Sequence, residues 1–126
     1  MDIILSNSSG KPIYEQIVDQ IKEQIMTGTL AAGDALPSMR LLAKELRISV
    51  ITTKRAYEDL EREGFLENIP GKGCFVAPQN PELLREAQLR RVEEHLTQAV
   101  DEARKGGFSL AEVQEILNIL YQGEDL

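Results

Sequence analysis

Three short stretches of this chain carry groups suited to holding phosphate. The first is Arg40, whose forked guanidinium matches a phosphate or the edge of a guanine; its plainer alternative is a surface ion pair with Asp34. The second is Ser49-Val50-Ile51-Thr52-Thr53-Lys54, at the start of a predicted helix. Hydroxyls and the free amides of a helix N-terminus bind phosphate, and an apolar side chain there can pack on a thymine methyl. Ser49 reads equally as a simple helix cap, and it can serve both roles. Ile51 falls away from the buried face of its helix and reads as exposed, while Val50 stays open between core and surface. Lys54 adds a cation. The third stretch is Gly71-Lys72-Gly73, which lets a backbone approach phosphate closely and carries one cation at its tip; its alternative is an ordinary hairpin turn. It is no nucleotide-binding P-loop, because the earlier glycine of that motif and the Ser or Thr after the lysine are missing.

Other chemistries find little support. One cysteine, Cys74, and one histidine, His95, exclude an intrachain disulfide framework and the usual cysteine or histidine metal sites. Cys74 reads as a small strand residue, and His95, beside Glu93 and Glu94, as part of a solvated helix face. The carboxylates of Glu58-Asp59 and Glu61 to Glu63 point in different directions around a helix and form no acid–base pair. Lys44 and Arg55 read as solvated or structural. No cofactor, no metal and no enzymatic activity are expected.

The elements that must position these stretches follow from periodicity. Asp2–Leu5 reads as a short strand and residues 6–11 as a loop. Ile13, Ile17, Ile21 and Ile25, with Tyr14 and Val18, make one face of a helix that Gly28 ends. Residues 29–37 form a connector. Ser38 caps a helix over 39–46 with Leu42, Ala43 and Leu46 inward, and Ser49 caps another over 50–63 with Thr53, Ala56, Tyr57 and Leu60 inward. Only Arg47-Ile48 separates them, which is the signature of a helix-turn-helix. Strands over 65–69 and 74–77, around a glycine-rich tip, complete a winged helix-turn-helix; a plain α+β domain is the alternative. The fold class is therefore mainly α with a small β-hairpin wing. Asn80 and Pro81 open a long helix to about Lys105. Gly106-Gly107 breaks it, and Ser109 with Glu112 forms a capping box, with Phe108 and Val113 placed as a hydrophobic staple, for a last helix. The domains are residues 1–78, the winged helix-turn-helix, and residues 79–126, a two-helix hairpin. That hairpin carries an apolar stripe of Leu84, Val92, Leu96, Val100, Val113, Leu117 and Leu120. Two helices cannot enclose such a stripe, so the first domain or another chain must cover it.

The 126 residues carry 14 Lys+Arg against 21 Asp+Glu, a net charge of −7. Taken whole, that opposes nucleic-acid binding, but the charge is uneven. From Leu36 to Arg55 there are five basic residues and one acidic; from Pro81 onward there are five basic and ten acidic. A local basic patch on an acidic chain is still an electrostatic footprint. No apolar run approaches membrane-spanning length, and no basic region precedes Ile3-Ile4-Leu5, so no membrane association and a cytoplasmic location are expected.

The segment from about 11 to 77 resembles the GntR family of bacterial transcription regulators. The resemblance rests on G-T-L-x-x-G-D-x-L-P-S-x-R-x-L-A over 28–43, R-A-Y-E-D-L-E-R-E-G over 55–64 and G-K-G-C-F-V over 71–76. The short two-helix C-terminal part looks like the YtrA-type subgroup, the smallest in the family. The resemblance implies a homodimeric repressor of a double-stranded DNA operator and a transporter-operon target, and it names no small-molecule effector. By position it assigns DNA contact to Arg40, to Ser49, Val50, Ile51, Thr52 and Lys54, and to Lys72 and Gly73. Many members carry an arginine and a polar residue where this chain has Val50 and Ile51, which implies a different operator half-site. The apolar stripe would be the dimerisation surface. The reading from another class is a protein-interaction module working through the acidic C-terminal helices.

Overall fold

Isoleucine every fourth residue builds the first helix, α1 (Ile13–Met26), with Ile17, Ile21 and Ile25 buried. The computed structural model describes residues 1–123. Its further elements are α2 (Met39–Leu46), α3 (Val50–Arg62), strands β1 (Leu66–Ile69) and β2 (Gly73–Val76), α4 (Pro81–Lys105) and α5 (Leu110–Tyr121). The expected mainly α architecture with a β-hairpin wing is present.

Serines start three helices. The Oγ of Ser38 accepts the N–H of Leu41, that of Ser49 the N–H of Ile51, and that of Ser109 the N–H of Glu112, the last as a full capping box. The turn between α2 and α3 rests on Arg47, in the left-handed region at φ 57° and ψ 48°. Its N–H and that of Ile48 close α2 onto Lys44 O and Ala43 O, so the next helix begins two residues later. A non-glycine residue pays about 1–2 kcal/mol for that conformation. After α3, Gly64 takes φ 86° and Phe65 N–H returns to Leu60 O at 2.9 Å, which releases the chain into β1. β1 and β2 pair antiparallel, Leu66 opposite Val76 and Ile69 opposite Gly73. Ile17, Ile21, Leu42, Ala56, Tyr57, Leu60, Leu66 and Val76 meet in the core. Lys22 fastens α1 to the end of α3, with Nζ 2.7 Å from Glu63 and over the ring of Phe65.

Two segments depart from expectation. Asp2–Leu5 is no strand. It is extended, but side-chain amides of α1 take the place of a partner strand. Gln20 accepts Ile4 N–H at 2.8 Å and donates to Ile4 O at 2.6 Å; Gln16 does the same for Ser6, and Gln24 donates to Asp2 O. Four residues of helix rise about 6 Å, close to two residues of extended chain, so the ladder stays in step. The connector over 29–37 is more ordered than its composition suggests. Gly33 N–H donates to Val76 O, Val76 N–H to Asp34 O and Leu36 N–H to Cys74 O, so this segment lies beside β2 like a third strand.

The chain divides into two compact units, Met1–Leu84 and Arg85–Leu126. In the second unit the ring of Phe108 lies against Gly106 at the break between helices. Helices α4 and α5 pack against one another only sparsely and bury none of their described residues. Leu84 and Val113 are half-buried; Val92, Leu96, Val100, Leu117 and Leu120 are exposed, as are Leu89 and Ile116. The expected hairpin is therefore two helices joined at a turn, with the stripe open along them.

Two acids, half-buried Cys74 and buried Tyr57, tie the stability of the fold to alkaline pH. Burial, then the charge of Glu61, pushes the Cys74 thiol above its ordinary 9.0. Burial, then Cys74 and Glu45, pushes the Tyr57 phenol above its ordinary 10.0. Raised acids favour their neutral form, so their contribution is intact below the unfolded values and is lost as pH climbs through the folded ones. The melting temperature should stay level with respect to these two groups up to about pH 9 and fall above it. Tyr57→Phe should flatten part of that fall; an unchanged slope would show that the phenol is not what ionises.

Candidate nucleic-acid interface

A helix N-terminus attracts anions unless a side chain has already neutralised it. Helices α1, α4 and α5 carry Glu15, Glu82 and Glu112 in their first turns, whereas α2 and α3 carry no acidic residue there. The two helix-turn-helix elements thus keep their positive ends open. Along α3 Lys54 and Arg55 come early and Glu58, Asp59 and Glu61 late, with Arg62 in the last turn paired to Asp59. Lys54 and Arg55 thus lie toward the positive end of the helix, where they add to its attraction for an anion.

Arg40 is exposed in the first turn of α2. The alternative partner, Asp34, spends its carboxylate on the N–H of Ala31 at 2.8 Å, and among the described residues no ion pair joins it to Arg40. At the start of α3, Ser49 is exposed; its Oγ accepts from Ile51, and its own proton is left for another acceptor. Ile51 is 79% exposed and Val50 43%, so neither is core, and Thr52 is half-buried. Lys54 lies 3.9 Å from Glu58, with both side chains more than half exposed. Such a pair is worth about 0.5 kcal/mol or less, and phosphate would readily replace it. At the wing tip Gly71 and Gly73 take φ 77° and 117°, Lys72 is exposed, and the space a Cβ would occupy at either glycine is open. Lys72 N–H closes the turn on Ile69 O at 2.9 Å.

These stretches belong to one hydrogen-bonded body. The segment leading into α2 is bonded to β2. The buried face of α3 reaches the same segment through two hydroxyls. Tyr57 Oη donates to Pro37 O at 2.7 Å, and Thr53 Oγ1 lies 2.9 Å from both Met39 O and Val50 O, sharing its proton between them. Sequence reasoning placed Thr53 and Tyr57 on the buried face without their hydroxyl roles. The available signal was two hydroxyl residues four apart on an otherwise apolar face. Arg55 has a structural place, its guanidinium 3.8 Å from the centre of the Tyr14 ring. Cys74 is half-buried with a raised thiol, and His95 is exposed. Among the described residues no His, Cys, Asp or Glu cluster is suited to a metal, and no helix is long and apolar enough to cross a membrane.

Comparison with known proteins points the same way as this geometry. Residues 13–76 match the model of a family described as bacterial regulatory proteins, gntR family. The chain is 36% identical over 107 residues to the HTH-type transcriptional repressor YtrA of Bacillus subtilis (strain 168), covering 85% of this chain and 82% of that one. It resembles the crystal structure of a transcriptional regulator from Oenococcus oeni with a TM-score of 0.75 and 32% identity, over 93% of this chain and 97% of that one. It also resembles AraR(DBD) in complex with operator ORX1, with a TM-score of 0.54 and 25% identity, over 61% of this chain and 96% of that one.

Proposed function

Because the chain belongs to the gntR family of bacterial regulatory proteins, a family of DNA-binding transcription regulators, we propose that it is a homodimeric repressor of a palindromic operator. Residues 1–78 bind DNA and residues 79–126 hold the dimer together. In a bacterium this places it in the cytoplasm, with double-stranded DNA and a second copy of itself as partners and no catalytic step. The observation that carries the reading is the pair of helix N-termini at α2 and α3, free of first-turn carboxylates and furnished with exposed Arg40 and Lys54.

In the mechanism, α3 enters the major groove by its first turn. Ser49, Thr52 and Lys54 meet phosphate or base edges, while Val50 and Ile51 offer methyl groups to thymine. Arg40 holds the flanking backbone or a guanine from the start of α2. The wing brings Lys72, with the backbone at Gly73, against phosphate. The stripe of Leu84, Val92, Leu96, Val100, Val113, Leu117 and Leu120 is covered by the same region of a second copy, since closed two-fold dimers are the commonest way to bury such a surface. A dimer sitting on its operator excludes other proteins from that stretch of promoter, and repression follows. The name of the Bacillus relative supports that sign of control.

Salt dependence tests the electrostatic part. Each phosphate neutralised lowers the slope of log affinity against log salt by about 0.9, so Arg40 and Lys54 from two protomers predict a slope of about −3 to −4 or steeper. The assay is a gel shift on the DNA upstream of the chain's own gene, with a scrambled duplex as control. Specific binding indifferent to salt would contradict the assigned patch.

A further inference from the structure

Two hydroxyls on the recognition helix reach across to the backbone that leads into α2. Tyr57 and Thr53 stand one helical turn apart on the buried face of α3, and both are essentially inaccessible. Their acceptors, Pro37 O and Met39 O, lie two residues apart at the start of α2. Pro37 has no N–H, and the N–H before it, on Leu36, already donates to Cys74 O in β2. The segment is thus gripped from one side by the wing and from the other by α3, and Arg40 follows Met39 directly.

Ridge-and-groove packing of apolar side chains holds the angle between two helices only to within about 15–20°. A hydrogen bond fixes orientation. Leu42 and Ala43 supply the apolar contact of α2. The hydroxyl pair supplies the constraint on rotation and sliding, and it acts at the end of α2 where the cation stands. We infer that Tyr57 and Thr53 are positioning residues for operator recognition: their hydroxyls hold Pro37 O and Met39 O so that Arg40 is presented at a fixed angle to the first turn of α3. Neither touches DNA. They make the two helix N-termini and the wing one rigid reading head, so that contacts at one element cannot be satisfied while another drifts. This rests on the operator-binding reading above.

The test is a thermodynamic cycle on the full chain, using the duplex that the protein enriches from a random-sequence library. Failure to enrich any duplex overturns the operator-binding reading, and this inference with it. Given such a duplex, Tyr57→Phe should fold, bind a random duplex as the parent does, and lose about 5- to 100-fold in affinity for the enriched one, the size of one hydrogen bond in each of two protomers. In an Arg40→Ala background the same substitution should cost less than about two-fold, because the side chain it positions is gone. Thr53→Val should behave like Tyr57→Phe, and Thr53→Ser, which keeps the hydroxyl, should behave like the parent. The Thr53 pair carries the test if Tyr57→Phe does not fold. Equal losses in the two backgrounds, no loss in the parent background, or a Thr53→Ser as weak as Thr53→Val would each overturn the assignment.

Discussion

A chain ending at Pro78 should stay folded, run as a monomer and lose most of its operator affinity. Every buried residue among those described lies between Gln16 and Ala77, so the core is complete without α4 and α5. Those helices instead leave Val92, Leu96, Val100, Leu117 and Leu120 in water, more apolar surface than a monomer ordinarily tolerates in one stripe. In the proposed dimer, association sets affinity. With two reading heads joined, the second half-site is met at high effective concentration, and severing the link forfeits about 10²- to 10⁴-fold. The acidic character of residues 81–126 fits this division, since a surface held away from DNA has no use for cations. Light scattering and binding of both chains provide the measurement. A truncated chain that remains dimeric, or an intact chain that is monomeric at micromolar concentration, would give the helices another partner and favour an interaction module.

Arg40→Ala and Lys54→Ala should each weaken operator binding severely while leaving the melting temperature where it was. Both side chains are exposed, and the one ion pair either makes among the described residues, Lys54 with Glu58 at 3.9 Å, is too loose and too solvated to hold the fold. Each substitution removes two contacts from a two-fold complex. At roughly 1–3 kcal/mol for a base-reading contact, the dimer loses about 2–6 kcal/mol. A phosphate contact would show instead as a uniform loss across sequences and a shallower salt slope. Unchanged affinity with unchanged melting would leave the residue merely solvated. Loss of folding in Arg40→Ala would make it structural.

What the sequence revealed was whatever local rules decide. Hydroxyl caps at Ser38, Ser49 and Ser109, the four-residue spacing of the α1 isoleucines and the tight turn at Arg47-Ile48 before the Ser49 cap each speak through short-range physics, and each appears in the structure. The same holds for the exposure of Ile51, which followed from its angle to Thr53, Ala56 and Leu60. What stayed hidden depends on partners distant in sequence. Asp2–Leu5 has the alternation of a strand, with Ile3 and Leu5 half-buried, but its partner is a glutamine ladder sixteen residues away at its centre. The connector before α2 shows no strand pattern because its order comes from β2, some forty residues on. Arg47 in a left-handed conformation runs against residue preference and is imposed by the packing of α2 on α3. The sparse contact between α4 and α5 was equally invisible, since an apolar stripe states that something must cover it and not what.

The central claim is that two identical reading heads, related by a two-fold axis, recognise one DNA site. Selection of duplexes from a random-sequence library by the full-length chain, followed by sequencing, tests it most directly. The expected result is an enriched inverted repeat whose half-site centres lie about one helical turn apart, roughly 10 base pairs, or a multiple of it. Enrichment of a solitary motif without dyad symmetry, or of no motif at all, would contradict it.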